Sequence, residues 1–318
     1  MRGVVVALLA SVLGFTAPAS AAPVCPTSNF LDLSSVPGAG PAYDKPMVVA
    51  RCTPTELVVM SNGMISFPFV AKTPNPLRAQ NFTWRVPLSP RVAATATSTV
   101  NVLGTLGFTT TGIPIYGPTE GPVPPTEAFG DPVYNKILDT CGGHTGPAAE
   151  YHHHALITVA ACHLRSTGVI GYALDGFPIY GGMGCLDKRC TKKSTMKSGY
   201  VLTGNPRTNS WNAYTYKKSS KVLDECNGRI QPDGTYGYHA TATFPYIIGC
   251  FKGTPTAQSG SASAPMPPMG GGLGRVPPPG PPPWGPPPGA PPGQLPWPPP
   301  WQGASFVCRI GLPASVAA

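Results

Sequence analysis

Charged side chains are scarce in this chain of 318 residues, which has 22 lysines and arginines and only 13 aspartates and glutamates. Long apolar runs are scarce too: residues 4–15 form a mainly apolar stretch, and it is too short to span a bilayer. No helical periodicity continues over three turns. These absences exclude a membrane-spanning protein and a helical bundle.

Several catalytic signatures are also missing. The chain has no Gly-x-Ser-x-Gly nucleophile turn, and it has neither a phosphate-binding glycine loop nor a dinucleotide fingerprint. Nucleophilic catalysis and nucleotide binding are therefore not supported by any motif.

The N-terminus has the features of a secretory signal peptide over residues 1–21. Arg2 precedes the apolar stretch, and Ala19-Ser20-Ala21 is a typical cleavage pattern. We therefore expect a secreted protein, extracellular or bound to a cell wall, with Asn81-Phe82-Thr83 as a glycosylation acceptor. Nucleic acid is an unsuitable partner for such a protein.

Secretion changes how the nine cysteines are interpreted, because thiols pair in an oxidising compartment. Four bridges can form, and Cys308 is the natural unpaired residue. Sequence does not determine connectivity, but neighbouring cysteines suggest these pairs: Cys25 with Cys52, Cys141 with Cys162, Cys185 with Cys190, and Cys226 with Cys250.

Short runs of β-forming residues, punctuated by glycine and proline, predict a mostly β domain over residues 22–253. Residues 57–60 and 64–67 flank an Asn-Gly step and predict a hairpin. Residues 47–52 and 81–86 predict further strands.

An internal repeat is the most informative feature of the chain. Residues 104–117 recur as 168–181 with seven identities in fourteen positions, and residues 138–155 recur as 223–240 with eight identities in eighteen. The motifs alternate along the chain, which indicates a duplicated unit. We therefore expect two related half-domains, residues 104–155 and 168–240, joined in one disulfide-bonded globular domain.

Two segments account for the unusual composition. The second copy contains a basic, cysteine-containing insertion, residues 182–222, with nine lysines and arginines and one acid. Residues 254–303 are rich in proline and glycine, which favours a disordered, extended stalk, and residues 304–318 form a C-terminal tail. The insertion and the stalk are candidate contacts for acidic polysaccharide or a cell wall. A solvated loop and an inert linker are the alternatives.

Histidines are concentrated in the first copy. On a strand over residues 151–155, alternation would place His152 and His154 on one face and His153 on the other. Two such imidazoles can share a copper or zinc ion. His144 is a candidate third ligand, and His239, equivalent to His154 in the repeat, a fourth. Alternatively, these imidazoles only hydrogen-bond the buried backbone.

Two aspartates and two tyrosines repeat together with the histidines. Asp139 and Asp224 follow leucines in turn-like contexts, where carboxylates commonly accept backbone N–H bonds. They could instead orient a ligating histidine from outside the metal's own ligand set. Tyr151 and Tyr236 are candidates for the same supporting position, or they simply pack.

Several strings in the second copy resemble the YHYH domain family of secreted proteins. They are Gly-Tyr-Ala-Leu-Asp-Gly-Phe-Pro-Ile-Tyr-Gly at 171–181, Leu-Asp-Glu-Cys-Asn-Gly-Arg at 223–229, Tyr-Gly-Tyr-His at 236–239 and Phe-Pro-Tyr-Ile-Ile-Gly-Cys-Phe-Lys-Gly at 244–253. The family is named after a Tyr-His-Tyr-His string, and this chain differs from that string in both copies. The first copy has His153 in place of the second tyrosine, and the second copy has Gly237 in place of the first histidine. The resemblance implies a domain and no particular mechanism.

Three functions are compatible with these features. The first is a secreted protein that binds copper or zinc through histidines, without enzymatic activity. The second is a structural matrix or cell-wall protein without a site. The third is an extracellular metal-dependent hydrolase or oxidase that uses the same histidines.

Overall fold

A computed structural model describes residues 23–100, 102–121, 130–156 and 162–257. The predicted signal peptide, Cys308, the C-terminal tail and all but the first four residues of the predicted stalk lie outside the described residues.

Among the described residues, regular structure consists almost entirely of short β-strands. Two single-turn 3₁₀ helices, Thr27–Asn29 and Trp211–Ala213, complete it. The strands are β1 (Val48–Cys52), β2 (Glu56–Ser61), β3 (Phe82–Pro87), β4 (Thr97–Ser98), β5 (Thr105–Thr109), β6 (Pro114–Tyr116), β7 (Gly143–Thr145), β8 (Tyr151–His153), β9 (Val169–Ala173), β10 (Pro178–Tyr180), β11 (Met183–Cys185), β12 (Lys193–Thr195), β13 (Tyr200–Leu202), β14 (Tyr214–Tyr216), β15 (Gly228–Ile230), β16 (Tyr236–His239) and β17 (Cys250–Phe251). The expected mostly β class is confirmed.

Eight strands form the largest sheet, in the order β15-β16-β10-β9-β5-β6-β8-β7. From the central β9–β5 pair outward, the order is β5, β6, β8, β7 on one side and β9, β10, β16, β15 on the other. Phe108 lies opposite Tyr172 in the central pair, and these two residues hold the same position in the sequence repeat. Strands that carry the two sets of repeated motifs therefore occupy corresponding places on the two sides of the sheet.

A three-stranded sheet, β1-β2-β3, packs on the large sheet through aromatic side chains. Trp84 is fully buried, and its ring stacks on Phe82 at 5.0 Å and on Phe108 of β5 at 4.8 Å between centroids. Burial of such large apolar surfaces is the main favourable contribution to folding. This stack joins the two sheets into one core.

The hairpin predicted for residues 57–67 is wrong. Strand β2 pairs with β1 and β3, and residues 64–67 lie buried outside any strand. The Asn-Gly step does turn the chain, because Asn62 Oδ1 accepts the Met64 N–H at 3.2 Å and Gly63 has a φ of 64°. Beyond it, Met64 and Ile65 pack in a second core cluster with Ile113, and this burial replaces strand pairing. The strands predicted at 47–52 and 81–86 are confirmed as β1 and β3.

The described residues contain four disulfides, and they are the four pairs that the sequence suggested. Cys141–Cys162 and Cys226–Cys250 occupy equivalent places in the two copies and close loops of similar length, with separations of 21 and 24 residues. Each bridge fastens the segment that carries the second repeated motif.

Replacing both Cys226 and Cys250 by alanine should lower the free energy of unfolding by about 2–5 kcal/mol, because the bridge limits the freedom of the unfolded chain. Urea unfolding of oxidised protein measures this. The control is the double alanine variant of Cys185 and Cys190, which lie only five residues apart and should cost less. An equal or larger loss in the control would contradict the loop-length argument.

The basic insertion is folded rather than irregular. It contains two antiparallel hairpins, β11–β12 and β13–β14, and Cys185–Cys190 closes the turn of the first. Lys192, Lys193, Lys217 and Lys218 are exposed, so the positive charge of the insertion lies at the surface.

No helix in the described part of the chain has the length and the apolar character needed to cross a membrane.

Candidate metal centre

The β7–β8 hairpin brings histidines together at one end of the large sheet. His144 on β7 lies directly opposite His152 on β8. His154 directly follows β8, two residues after His152 and on the same face. His153 points the other way, where its Nδ1 lies 2.9 Å from the Cys141 carbonyl oxygen. The predicted alternation of the histidine triplet is therefore present.

Glu120, from the loop after β6, joins these three histidines. Each of the four residues offers one ligand atom, and the four atoms lie within 4.8 Å of one another. The imidazole planes of His144, His152 and His154 are nearly perpendicular in every pair, at 76–89°. All three imidazoles are buried. This group could hold a metal ion.

Backbone carbonyls determine which nitrogen two of the imidazoles present to the group. His144 Nδ1 lies 3.1 Å from the Ile137 oxygen, and His154 Nδ1 lies 2.6 Å from the Gly117 oxygen. A carbonyl only accepts hydrogen bonds, so both Nδ1 atoms carry a hydrogen, and in the neutral imidazole each Nε2 atom then presents a lone pair. This is the arrangement that metal-ligating histidines commonly have.

The lone pairs converge on a carboxylate. Glu120 Oε2 lies 2.8 Å from His144 Nε2 and 3.2 Å from His154 Nε2. With neutral imidazoles no N–H points at the carboxylate, so three acceptor atoms face one another. They repel unless a cation, either protons on the rings or a metal ion, lies between them.

His152 is held differently. Its ring stacks on Tyr116, with centroids 3.9 Å apart and planes 11° apart. Neither of its ring nitrogens has a hydrogen-bond partner among the described residues, although Nδ1 lies 3.7 Å from Glu150 Oε1. A buried imidazole without partners is costly, and a metal ion on Nε2 would satisfy one of these nitrogens.

Burial and neighbouring side chains shift the pKa values of several residues of this group. Burial lowers the pKa of His152 well below its usual value, and the neighbouring His154 and His144 lower it further. Burial would raise the pKa of Glu120, but contacts with His144 and His154 outweigh it and hold that pKa well below its usual range. Burial raises the pKa of Glu150. His152 is therefore neutral and Glu120 ionised at neutral pH.

His239, the predicted fourth ligand, is not in this group. Its Nδ1 lies 3.0 Å from the Gly181 carbonyl oxygen, and its Nε2 lies 3.1 Å from Gln231 Nε2. In the repeat, Arg229 stands at the position of His144 and Gly237 at that of His152. The second set of motifs thus has a single imidazole at these positions, that of His239, and the side-chain amide of Gln231 contacts its Nε2.

The repeated aspartates contact tyrosines and backbone rather than imidazoles. Asp139 accepts hydrogen bonds from the Tyr151 hydroxyl at 2.8 Å and from the Cys141 N–H at 2.9 Å. Asp224 accepts the equivalent bonds from Tyr236 and Cys226, at 3.0 Å each. These contacts stabilise the turns that precede the β7–β8 and β15–β16 hairpins.

Sequence reasoning missed Glu120, because its loop lies outside both repeated motifs. The available signal was its position three residues after Gly117, where the first repeated motif ends, in a chain with few acids. Only the fold brings this loop beside the β7–β8 hairpin, since β6 and β8 are adjacent parallel strands.

The predicted glycosylation residue, Asn81, is exposed.

Comparison with known families places the chain in one of them. The family model described as YHYH protein matches residues 83–253, more than half of the chain and including Glu120, His144, His152 and His154. No curated protein and no solved structure matches the chain.

Proposed function

The chain belongs to the YHYH protein family, and from that premise we propose that it is an extracellular protein that binds a divalent zinc or copper ion through Glu120, His144, His152 and His154. The single observation that carries this proposal is the convergence of three buried imidazoles and one carboxylate within 4.8 Å. Two of the imidazoles have their Nδ1 atoms engaged by backbone carbonyls.

The donor set supports zinc or copper(II). Neutral imidazole suits both ions, whereas copper(I) prefers thiolate and thioether ligands, and the group contains neither cysteine nor methionine. Three imidazoles and one carboxylate complete a tetrahedral zinc site, which leaves no open position for substrate. The complete set favours binding over catalysis.

The extracellular location rests on the predicted signal peptide and on the four disulfides, which are typical of oxidising compartments. The exposed lysines of the basic insertion support a contact with acidic polysaccharide.

We also propose that the domain arose by duplication, after which only the first copy kept a complete ligand set. Equivalent contacts support this: His154 and His239 bind the carbonyls of Gly117 and Gly181, which correspond in the repeat. Substitution of two of the three imidazole positions would have removed the second site.

Protein produced without a polyhistidine tag should contain close to one zinc or copper ion per chain by elemental analysis. After chelation, restoring the metal at about 100 times its Kd should stabilise the fold by about 2.7 kcal/mol, because only the native state has the assembled site. Thermal unfolding with and without metal measures this. Absence of metal, together with no shift on adding zinc or copper, would refute the proposal.

A further inference from the structure

The charge of the proposed site is not balanced by its own ligands. A divalent ion, three neutral imidazoles and one ionised Glu120 together carry one positive charge. The three imidazoles are buried, and an unbalanced charge is costly in such surroundings. A second negative charge close to the ligands would remove this cost.

Glu150 is placed to supply that charge. The residue is 5% exposed, and its Oε1 lies 3.7 Å from His152 Nδ1. The Tyr116 hydroxyl donates a hydrogen bond to the same oxygen at 3.2 Å, while the Tyr116 ring stacks on His152. Glu150 Oε2 has no hydrogen-bond partner among the described residues. One tyrosine therefore holds both the imidazole and the carboxylate beside it.

The surrounding backbone leaves room for this carboxylate. A Cβ atom at Gly146 would lie 2.2 Å from Glu150 Oε1, so a side chain at that position would displace Glu150. In the second copy, Gln231 replaces Gly146 and Thr235 replaces Glu150. Arg229 there donates a hydrogen bond to Gln231 Oε1 at 3.2 Å. The copy that lacks two imidazoles also lacks the second carboxylate, and it carries a cationic side chain instead.

Building on the proposed metal site, we propose that Glu150 is a positioning and charge-balancing residue that lies beside His152 Nδ1 and makes the site select divalent over monovalent cations. When a bound cation holds both Glu120 and Glu150 in the ionised form, a divalent ion gives a neutral site and a monovalent ion leaves one negative charge. His144 and His154 need no such partner, because backbone carbonyls already hold them.

The test compares E150Q with wild type, using Zn²⁺ and Ag⁺ as probes in titrations of the full chain. Glutamine keeps an acceptor for His152 and removes only the charge. Zn²⁺ binding should weaken about 10–100-fold, the usual effect of losing a partner of a metal-ligating histidine, while Ag⁺ binding should not weaken. E225Q is the matched control, because Glu225 is exposed and the same charge is removed; both ions should bind it as they bind wild type.

The outcomes separate the two proposals. If wild type binds neither Zn²⁺ nor Cu²⁺, the metal site itself is refuted; if it binds only Cu²⁺, that ion takes the place of Zn²⁺ as the divalent probe. If wild type binds Zn²⁺ and E150Q binds it equally well, the role of Glu150 is overturned. If E150Q loses Zn²⁺ and Ag⁺ to the same extent, Glu150 only supports the local structure, and the charge selection is likewise overturned. Weaker Zn²⁺ binding by E150Q together with unchanged Ag⁺ binding supports the proposed charge-balancing role of Glu150.

Discussion

Replacing His154 by alanine should weaken zinc or copper binding by more than about 100-fold, exceeding the 10–100-fold effect of removing an outer partner. His154 is 1% exposed, its Nδ1 is engaged by Gly117, and its Nε2 points at Glu120. No other described imidazole near this position can replace it, because His153 faces the opposite side of β8. Isothermal titration of metal-free protein measures the loss.

His239→Ala is the matched control for that experiment. It removes an equally buried imidazole from the equivalent strand end of the other copy, and it breaks the equivalent bond, to the Gly181 carbonyl. Its metal affinity should stay at the wild-type level, even though some stability is lost. Equal loss of metal in both variants would place the site elsewhere than in the first copy.

Replacing Trp84 by alanine should lower the free energy of unfolding by about 3–5 kcal/mol, the range for truncating a large buried aromatic residue. Its ring lies between Phe82 and Phe108, so the change leaves a cavity at the contact between the two sheets. This is a large fraction of the stability of an ordinary domain. Urea unfolding with linear extrapolation measures the difference.

Trp84→Phe serves as the control, because phenylalanine keeps an aromatic ring in the stack. It also removes the indole N–H, which is buried without a hydrogen-bond partner among the described residues. We expect a distinctly smaller loss than for alanine. Equal losses would show that the stacking of Trp84 between the two sheets contributes little.

Part of the candidate site was accessible from sequence because it depends on local geometry. Strand alternation alone places His152 and His154 together and turns His153 away. His144 joins the site because β7 and β8 form a hairpin in which His144 lies opposite His152. Glu120 and Glu150 were not predicted. Glu120 approaches through the parallel pairing of β6 with β8. Glu150 precedes His152 by two residues, so the same alternation places it on the face of His152, and the Tyr116 hydroxyl holds its carboxylate there.

The fold shows the same division. Strands β1 and β3 and the four disulfide pairs could be anticipated, because each depends on a short run of residues or on neighbouring cysteines. The hairpin at residues 57–67 failed, because Met64 and Ile65 gain more from burial beside Ile113 than from pairing with β2. The Asn-Gly step predicted that the chain changes direction after β2, but it could not predict which strands pair with β2.

By itself the amino-acid sequence determined the β class, the repeated motifs and the face on which His152 and His154 meet, and it suggested the cysteine pairs, because these follow from periodicity and from short separations along the chain. Only the tertiary structure decided that Glu120 completes the group and that His239 stands outside it. Those placements depend on which strands become neighbours in the large sheet, and strand order is set by the burial of the whole core rather than by any local pattern.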